Sequence, residues 1–303
     1  MQRGCIYSGV TGKQLAKCRQ RLQAFTEEML ARLGRSERRH WGSVYVRGLL
    51  LDGERKSVGA MIPRLPDGNE QALQQFVGQS PWPWEPVWER LAQKMAKVSA
   101  NTAWIVDDTG FPKKGEHSVG VARQYLGTLG KTANCQVAVS LHAASAPGSS
   151  PLGFRLYLPQ EWTEDPERLR KAGVPEGISF QEKWRLALAL IDQALGWGLA
   201  PPPVVLADAG YGENGAFRQG LESRHLPYAV GISSQVAVWP TPPECGVPDW
   251  GGQGRPTKCV RYGEQRPVAV REFAAAQQKH FRQVTWREGR KGPMRSRFWA
   301  GRV

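Results

Sequence analysis

Thr102-Ala103-Trp104-Ile105-Val106-Asp107-Asp108-Thr109-Gly110 is the stretch around which the rest of the chain is read. Four apolar residues in a row, without alternation, predict a strand buried on both faces, and two carboxylates close it. Cys135 to Ala144 (CQVAVSLHAA) and Phe154 to Leu158 read as two further strands, joined through Ala146-Pro147-Gly148 into an antiparallel meander. Ser179-Phe180-Gln181-Glu182 has the form of a capping box, opening a helix with Trp184, Leu188, Ile191 and Leu195 on one face. Pro201 to Pro203 stop it. Val204-Val205-Leu206-Ala207 is then a buried strand ending at Asp208, Ala216 to His225 a helix, and Tyr228 to Ile232 a fifth strand.

Strand, strand, strand, helix, strand, helix, strand is the order of an α/β, ribonuclease H-like core, whose parallel pairs come from helical crossovers. We place it at residues 101–234. Before it, apolar positions at Leu15, Cys18, Leu22, Phe25, Met29 and Leu33 keep helical spacing. Gln71 to Val77, and Trp88, Leu91, Met95 and Val98, continue the pattern around a rigid Pro81-Trp82-Pro83-Trp84 turn, so residues 1–100 read as a helical domain. After Ser234 the texture is Pro/Gly-rich with short alternating runs, Val268-Ala269-Val270 and Val284-Thr285-Trp286, and residues 235–303 read as an all-β, basic segment.

The formal charge is +14 over 303 residues, and its distribution matters more than its size. Residues 1–50 hold 10 Lys/Arg against 3 acids and residues 254–303 hold 13 against 3, while 51–253 hold 18 against 21. Basic ends around a neutral middle suit a protein that grips a polyanion while the middle holds chemistry. A hydrophobic content of 41% excludes disorder and collagen. No apolar run reaches the roughly 18 residues a bilayer demands, and Met1 to Val10 has no signal core, so the expectation is a soluble cytoplasmic protein without a membrane partner. Five scattered cysteines, with no C-x-x-C, predict free thiols.

Asp108 and Asp208 each close a buried strand, and strand ends of one sense meet at one sheet edge. Carboxylates gathered there are hard ligands for Mg²⁺ or Mn²⁺ in a two-metal arrangement acting on a phosphodiester. An Asp in that position also serves as a turn or helix cap. Asp107 competes with Asp108, since neighbouring strand residues face opposite ways, and periodicity does not choose between them. Gly210-Tyr211-Gly212-Glu213-Asn214-Gly215 has the form G-x-G-x-x-G, but the acid expected about 20 residues on is absent, so no nucleotide cofactor is expected.

These residues resemble insertion-sequence transposases with the aspartate, aspartate, glutamate (DDE) triad. The resemblance is carried by Asp107-Asp108-Thr109-Gly110-Phe111-Pro112-Lys113-Lys114-Gly115, Ser118-Val119-Gly120-Val121-Ala122-Arg123-Gln124-Tyr125, Asn134-Cys135-Gln136-Val137-Ala138-Val139-Ser140 and Ala207-Asp208-Ala209-Gly210-Tyr211-Gly212. It implies that Asp108 and Asp208 are the first two catalytic, metal-binding residues, that Mg²⁺ or Mn²⁺ is the cofactor, and that a glutamate on a later helix completes the site after a β-rich insertion. Glu264, Glu272 and Glu288 lie in strand-like segments and do not match that glutamate. The expectation is therefore a chain truncated before its last catalytic helix and inactive alone; the alternative is a non-catalytic DNA-binding remnant that occupies element ends or joins full-length subunits. Partners implied are double-stranded DNA at element ends and target DNA, with a homodimer left open and nucleoid association when bound. Lys113, Lys114, Arg123 and Lys131 after Asp108, and Arg290-Lys291 in a tail that interleaves Trp239, Trp250, Trp286 and Trp299 with arginines, are the DNA-binding candidates.

Overall fold

Ten residues of one strand pair in register with ten of another to make the frame of the first unit. The computed structural model describes residues 11–98, 102–146, 148–247, 249, 251–255, 261–262, 266–289 and 292–301. Contacts divide the chain into two compact units, Met1–Val204 and Val205–Val303.

In the first unit five helices come first: α1 (Gly12–Leu30), α2 (Ser36–Leu50), α3 (Val58–Met61), α4 (Glu70–Gly78) and α5 (Glu85–Val98). Thr11 and Gln14 close a capping box on α1, and Asn69 caps α4. Met29, Leu30, Leu33 and Phe76 form one buried cluster, and Val44, Met61, Leu65 and Leu73 another. A side chain at Gly42 would start 2.9 Å from Leu30, so glycine lets α1 and α2 approach.

The sheet follows: β1 (Ala103–Pro112), β2 (Ala122–Leu126), β3 (Lys131–Ser145) and β4 (Gly148–Tyr157), with β3 pairing antiparallel to the other three. The meander expected from sequence thus gains an extra member, β2. Two short helices, α6 (Gln160–Thr163) and α7 (Pro166–Lys171), lead to α8 (Lys183–Gly196), which buries Ala187, Leu188, Leu190, Ile191 and Ala194. Each large apolar side chain so removed from water contributes about 1.5–3 kcal/mol. The capping box expected at Ser179 to Glu182 does not form: Glu182 is the N-cap, without a side-chain bond, and the helix begins at Lys183.

The second unit opens with β5 (Val205–Ala207), α9 (Ala209–Gly212), α10 (Gly215–Glu222) and β6 (Tyr228–Val230), and β5 and β6 run parallel. Short pairs follow, β7 (Ala237–Val238) with β10 (Val268–Ala269) and β8 (Cys245–Gly246) with β9 (Arg261–Tyr262). The tail is not all-β: α11 (Val270–Ala276) starts where a strand was expected, and Glu272 lies in its first turn. β11 (Arg282–Gly289) and β12 (Gly292–Phe298) close the unit as a hairpin. The protein is thus mixed α/β, with antiparallel and parallel strand pairs. Among the described residues no helix is long and apolar enough to cross a membrane.

Candidate active site

Strand parity separates the two adjacent carboxylates. Asp108 sits opposite Val139 and shares its face with Val106 and Trp104, which are fully buried, so the strand emerges from the core at this residue. Lys183, the first residue of α8, places Nζ 2.5 Å from Asp108 Oδ2 and 5.3 Å from the centre of the Tyr157 ring. The two charged side chains are each about one-third exposed, 36% and 33%. The neighbour faces the other way: Asp107 lies opposite Ser140, whose hydroxyl donates to the Asp107 carbonyl at 3.0 Å. Its Oδ1 accepts the Asp108 N–H at 2.8 Å.

On the Asp107 face, His142 meets Phe154 edge-on at 5.6 Å, and Phe154 packs against Trp88 of α5. Burial lowers the His142 pKa below the usual imidazole range, and the negative charge of Asp107 partly offsets that.

Asp208 follows β5 and caps α9, its Oδ1 accepting the Gly210 N–H at 3.0 Å. The glycines after it serve close packing. A Cβ at Gly212 would lie 2.0 Å from the Gly231 carbonyl oxygen, and one at Gly231 would lie 2.9 Å from the Ala209 nitrogen. Asn214 caps α10 through the Phe217 N–H, so a side chain of the protein already occupies that helix start.

Of the sequence-predicted cations, Lys113 follows β1, with its N–H on the Asn134 carbonyl, while Lys114, Arg123 and Lys131 are exposed. Arg290 and Lys291 lie outside the described residues, as do Glu264 and Trp250. In the hairpin nearby, Trp286 is half exposed, its Nε1 donating to Ser296 Oγ. Glu288 is exposed on the same hairpin. Among the described residues no group of three or more His, Cys, Asp or Glu gathers in one place.

Two features escaped the sequence reading. Lys183 is 75 residues from Asp108, and no local pattern pairs them. Lys13, Lys17, Arg19 and Arg21 stand on the exposed first turns of α1, and no acid occurs between Gly12 and Thr26. A scan of charge along α1 in helical steps finds the second; nothing in the sequence finds the first.

Of the two carboxylates expected at strand ends, only Asp208 lies past its strand; pairing of β1 continues to Pro112, so Asp108 stands within it, where the strand leaves the core. Comparison with known families names the class of this α/β protein: the chain belongs to the DDE superfamily endonucleases, matched over residues 28–293. Over 194 residues it is 33% identical to the protein described as "Probable transposase for insertion sequence element IS701" from Microchaete diplosiphon. That alignment covers 63% of this chain and 48% of the relative, so the chain spans about half the length of the curated relative it matches.

Proposed function

We propose that this chain is a DNA-binding and metal-binding part of an insertion-sequence transposase, with residues 101–234 as its ribonuclease H-like core. Residues 1–100 act in DNA binding or self-association, and the basic segment 235–303 holds DNA. The order β1 to β4, α8, β5, α10, β6 supports the core assignment. Asp108 and Asp208 are the first two carboxylates of the triad. The observation that carries this is the cation at Asp108: the Lys183 ammonium already balances a carboxylate at the point where β1 leaves the core.

The donors fit a hard divalent ion, because carboxylate oxygens are its preferred ligands and Asp108 is accessible to water. A bound Mg²⁺ or Mn²⁺ would supply stabilisation of charge on the attacking and leaving oxygens of a phosphodiester. Asp108 and Asp208 would hold it, with the Gly210 N–H fixing one oxygen of Asp208 and the Lys183 ammonium competing with the ion for Asp108. Lys113, Lys114 and Arg123 hold the phosphate backbone. The reaction class is hydrolytic cutting at an element end followed by attack of the freed 3′-hydroxyl on target DNA.

Glu288 lies on β11, as its strand-like setting predicted, whereas Glu272 lies in the first turn of helix α11 and not in a strand. On this reading, in which none of Glu264, Glu272 and Glu288 serves as the third ligand, the chain binds DNA without cutting it, because a missing carboxylate misplaces the nucleophile and costs orders of magnitude. The test is incubation of the purified chain with element-end DNA and Mn²⁺. Binding without nicking is the expected result; nicking abolished by Asp208→Asn would overturn it and return Glu264, Glu272 or Glu288 as the third ligand. A chain that binds ends but never cuts when supplemented with a full-length relative fits the alternative, a non-catalytic occupant of element ends.

A further inference from the structure

We infer that the outer face of the β2–β3 hairpin is a stacking platform for unpaired bases, a surface distinct from the Asp108 face. This rests on the DNA-binding reading and specifies the form of DNA. The hairpin is two-sided. On its inner face Leu126, Cys135 and Val137 form a buried cluster with Ala133 and Tyr157. On its outer face Arg123 stands opposite Asn134 and Tyr125 opposite Thr132, and Phe111 of β1 stands opposite Gln136. Directly opposed residues point the same way, so Phe111, Arg123 and Tyr125 share one surface with β3 between them.

That surface exposes aromatic rings that a folded protein ordinarily hides: Tyr125 is 68% exposed and Phe111 46%. Between Gly110 and Asn134 the sequence places Lys113, Lys114, Arg123 and Lys131 against one acid, Glu116; of these Lys131, opposite Leu126, belongs to the inner face, and the other three serve the platform. None of those four cations forms an ion pair among the described residues. Asn134 is committed, donating to the carbonyls of Lys113 and Gly115, which holds the loop beside the strand.

Exposed rings interleaved with unpaired cations fit a polyanion with free π-faces, which is an unpaired nucleic-acid strand. A duplex keeps its base faces stacked on each other and offers the rings nothing. Four residues along β3 and two strand spacings across put the rings about 16 Å apart, a span of two or three extended nucleotides. The unpaired strand at a cut or melted element end is the occupant this geometry suits.

The experiment measures binding of the full chain to a short labelled oligothymidylate, to the same oligonucleotide with abasic sugars, and to a duplex of equal length. Tyr125→Ala and Phe111→Ala are each expected to weaken oligothymidylate binding about tenfold, with abasic and duplex binding changed less than about twofold. Tyr125→Phe keeps the ring and should restore affinity. Arg123→Ala should shallow the salt slope on single strands by about 0.7. If the wild-type chain binds DNA but both alanine variants bind oligothymidylate as tightly as wild type, the platform is refuted while DNA binding stands. Absence of binding to any DNA overturns both. Thermal melting of each variant checks the fold, which exposed positions should leave unchanged.

Discussion

Lys183 Nζ and Asp108 Oδ2 are 2.5 Å apart, an ion pair that joins the first turn of α8 to the middle of β1, where that strand leaves the core. Because both side chains are about one-third exposed, water screens the pair, and its contribution to stability is at most about 1 kcal/mol. Its consequence lies instead in what Asp108 is free to bind. Replacing the ammonium, as in Lys183→Met, should tighten Mn²⁺ binding by about threefold to tenfold, because a unit positive charge beside the dication is removed. Titration calorimetry on wild type and variant measures this; weaker binding by the variant would show that Lys183 is needed to shape the site.

His142 predicts a pH dependence. Its folded pKa is lowered by burial, so the unfolded chain takes up the proton first as pH falls. The sign follows: stability is complete above the unfolded value of about 6.5 and declines as pH drops towards the folded value. Urea unfolding at pH 7.5 and 5.5 should show a smaller loss for His142→Phe than for wild type, and equal losses would remove His142 from the account.

The glycine after Tyr211 predicts a stability cost. Gly212→Ala places a methyl group 2.0 Å from the Gly231 carbonyl oxygen, a main-chain atom that cannot swing away. A loss of about 3 kcal/mol is expected. Gly127→Ala, with nothing within 4 Å, should stay within about 0.5 kcal/mol of wild type. Chemical denaturation of the two variants side by side is the check.

Helix α1 carries a prediction about DNA. Lys13, Lys17 and Arg21 are all exposed and recur every four residues, a stripe about 12 Å long at the helical rise. Alanine at all three should shallow the log–log salt slope of duplex binding by about two to three units. An unchanged slope would place the DNA contacts elsewhere.

Much of the framework was legible because it is written in local patterns. Ala103 to Val106, Cys135 to Ala144 and Val204 to Ala207 are dense apolar runs of the kind buried strands use, and strands form there, β5 starting one residue late at Val205. β2 was missed because Ala122-Arg123-Gln124-Tyr125-Leu126 has only one fully buried residue and takes its place by pairing with β3. α11 was misread because Val268-Ala269-Val270 alternates like a strand, whereas the chain turns into a helix at Val270. The capping box failed because the helix starts after Glu182, so Ser179 is too early to reach its N–H groups. Asp208 was recognisable as a strand-end acid and caps a helix, as such residues commonly do; Asp108 was not, because β1 keeps its pairing to Pro112 through residues with no apolar run, and its Lys183 contact comes from a helix 75 residues away.

The proposal that Asp108 and Asp208 are both metal ligands has a direct test. Iron(II) substituted into the chain, with ascorbate and peroxide, generates hydroxyl radicals that cut the main chain beside the bound ion. The account predicts cuts next to both residue 108 and residue 208, both lost in Asp108→Asn and in Asp208→Asn and both retained in Asp107→Asn. Cutting beside only one of the two carboxylates, or loss of cutting in Asp107→Asn alone, would contradict it.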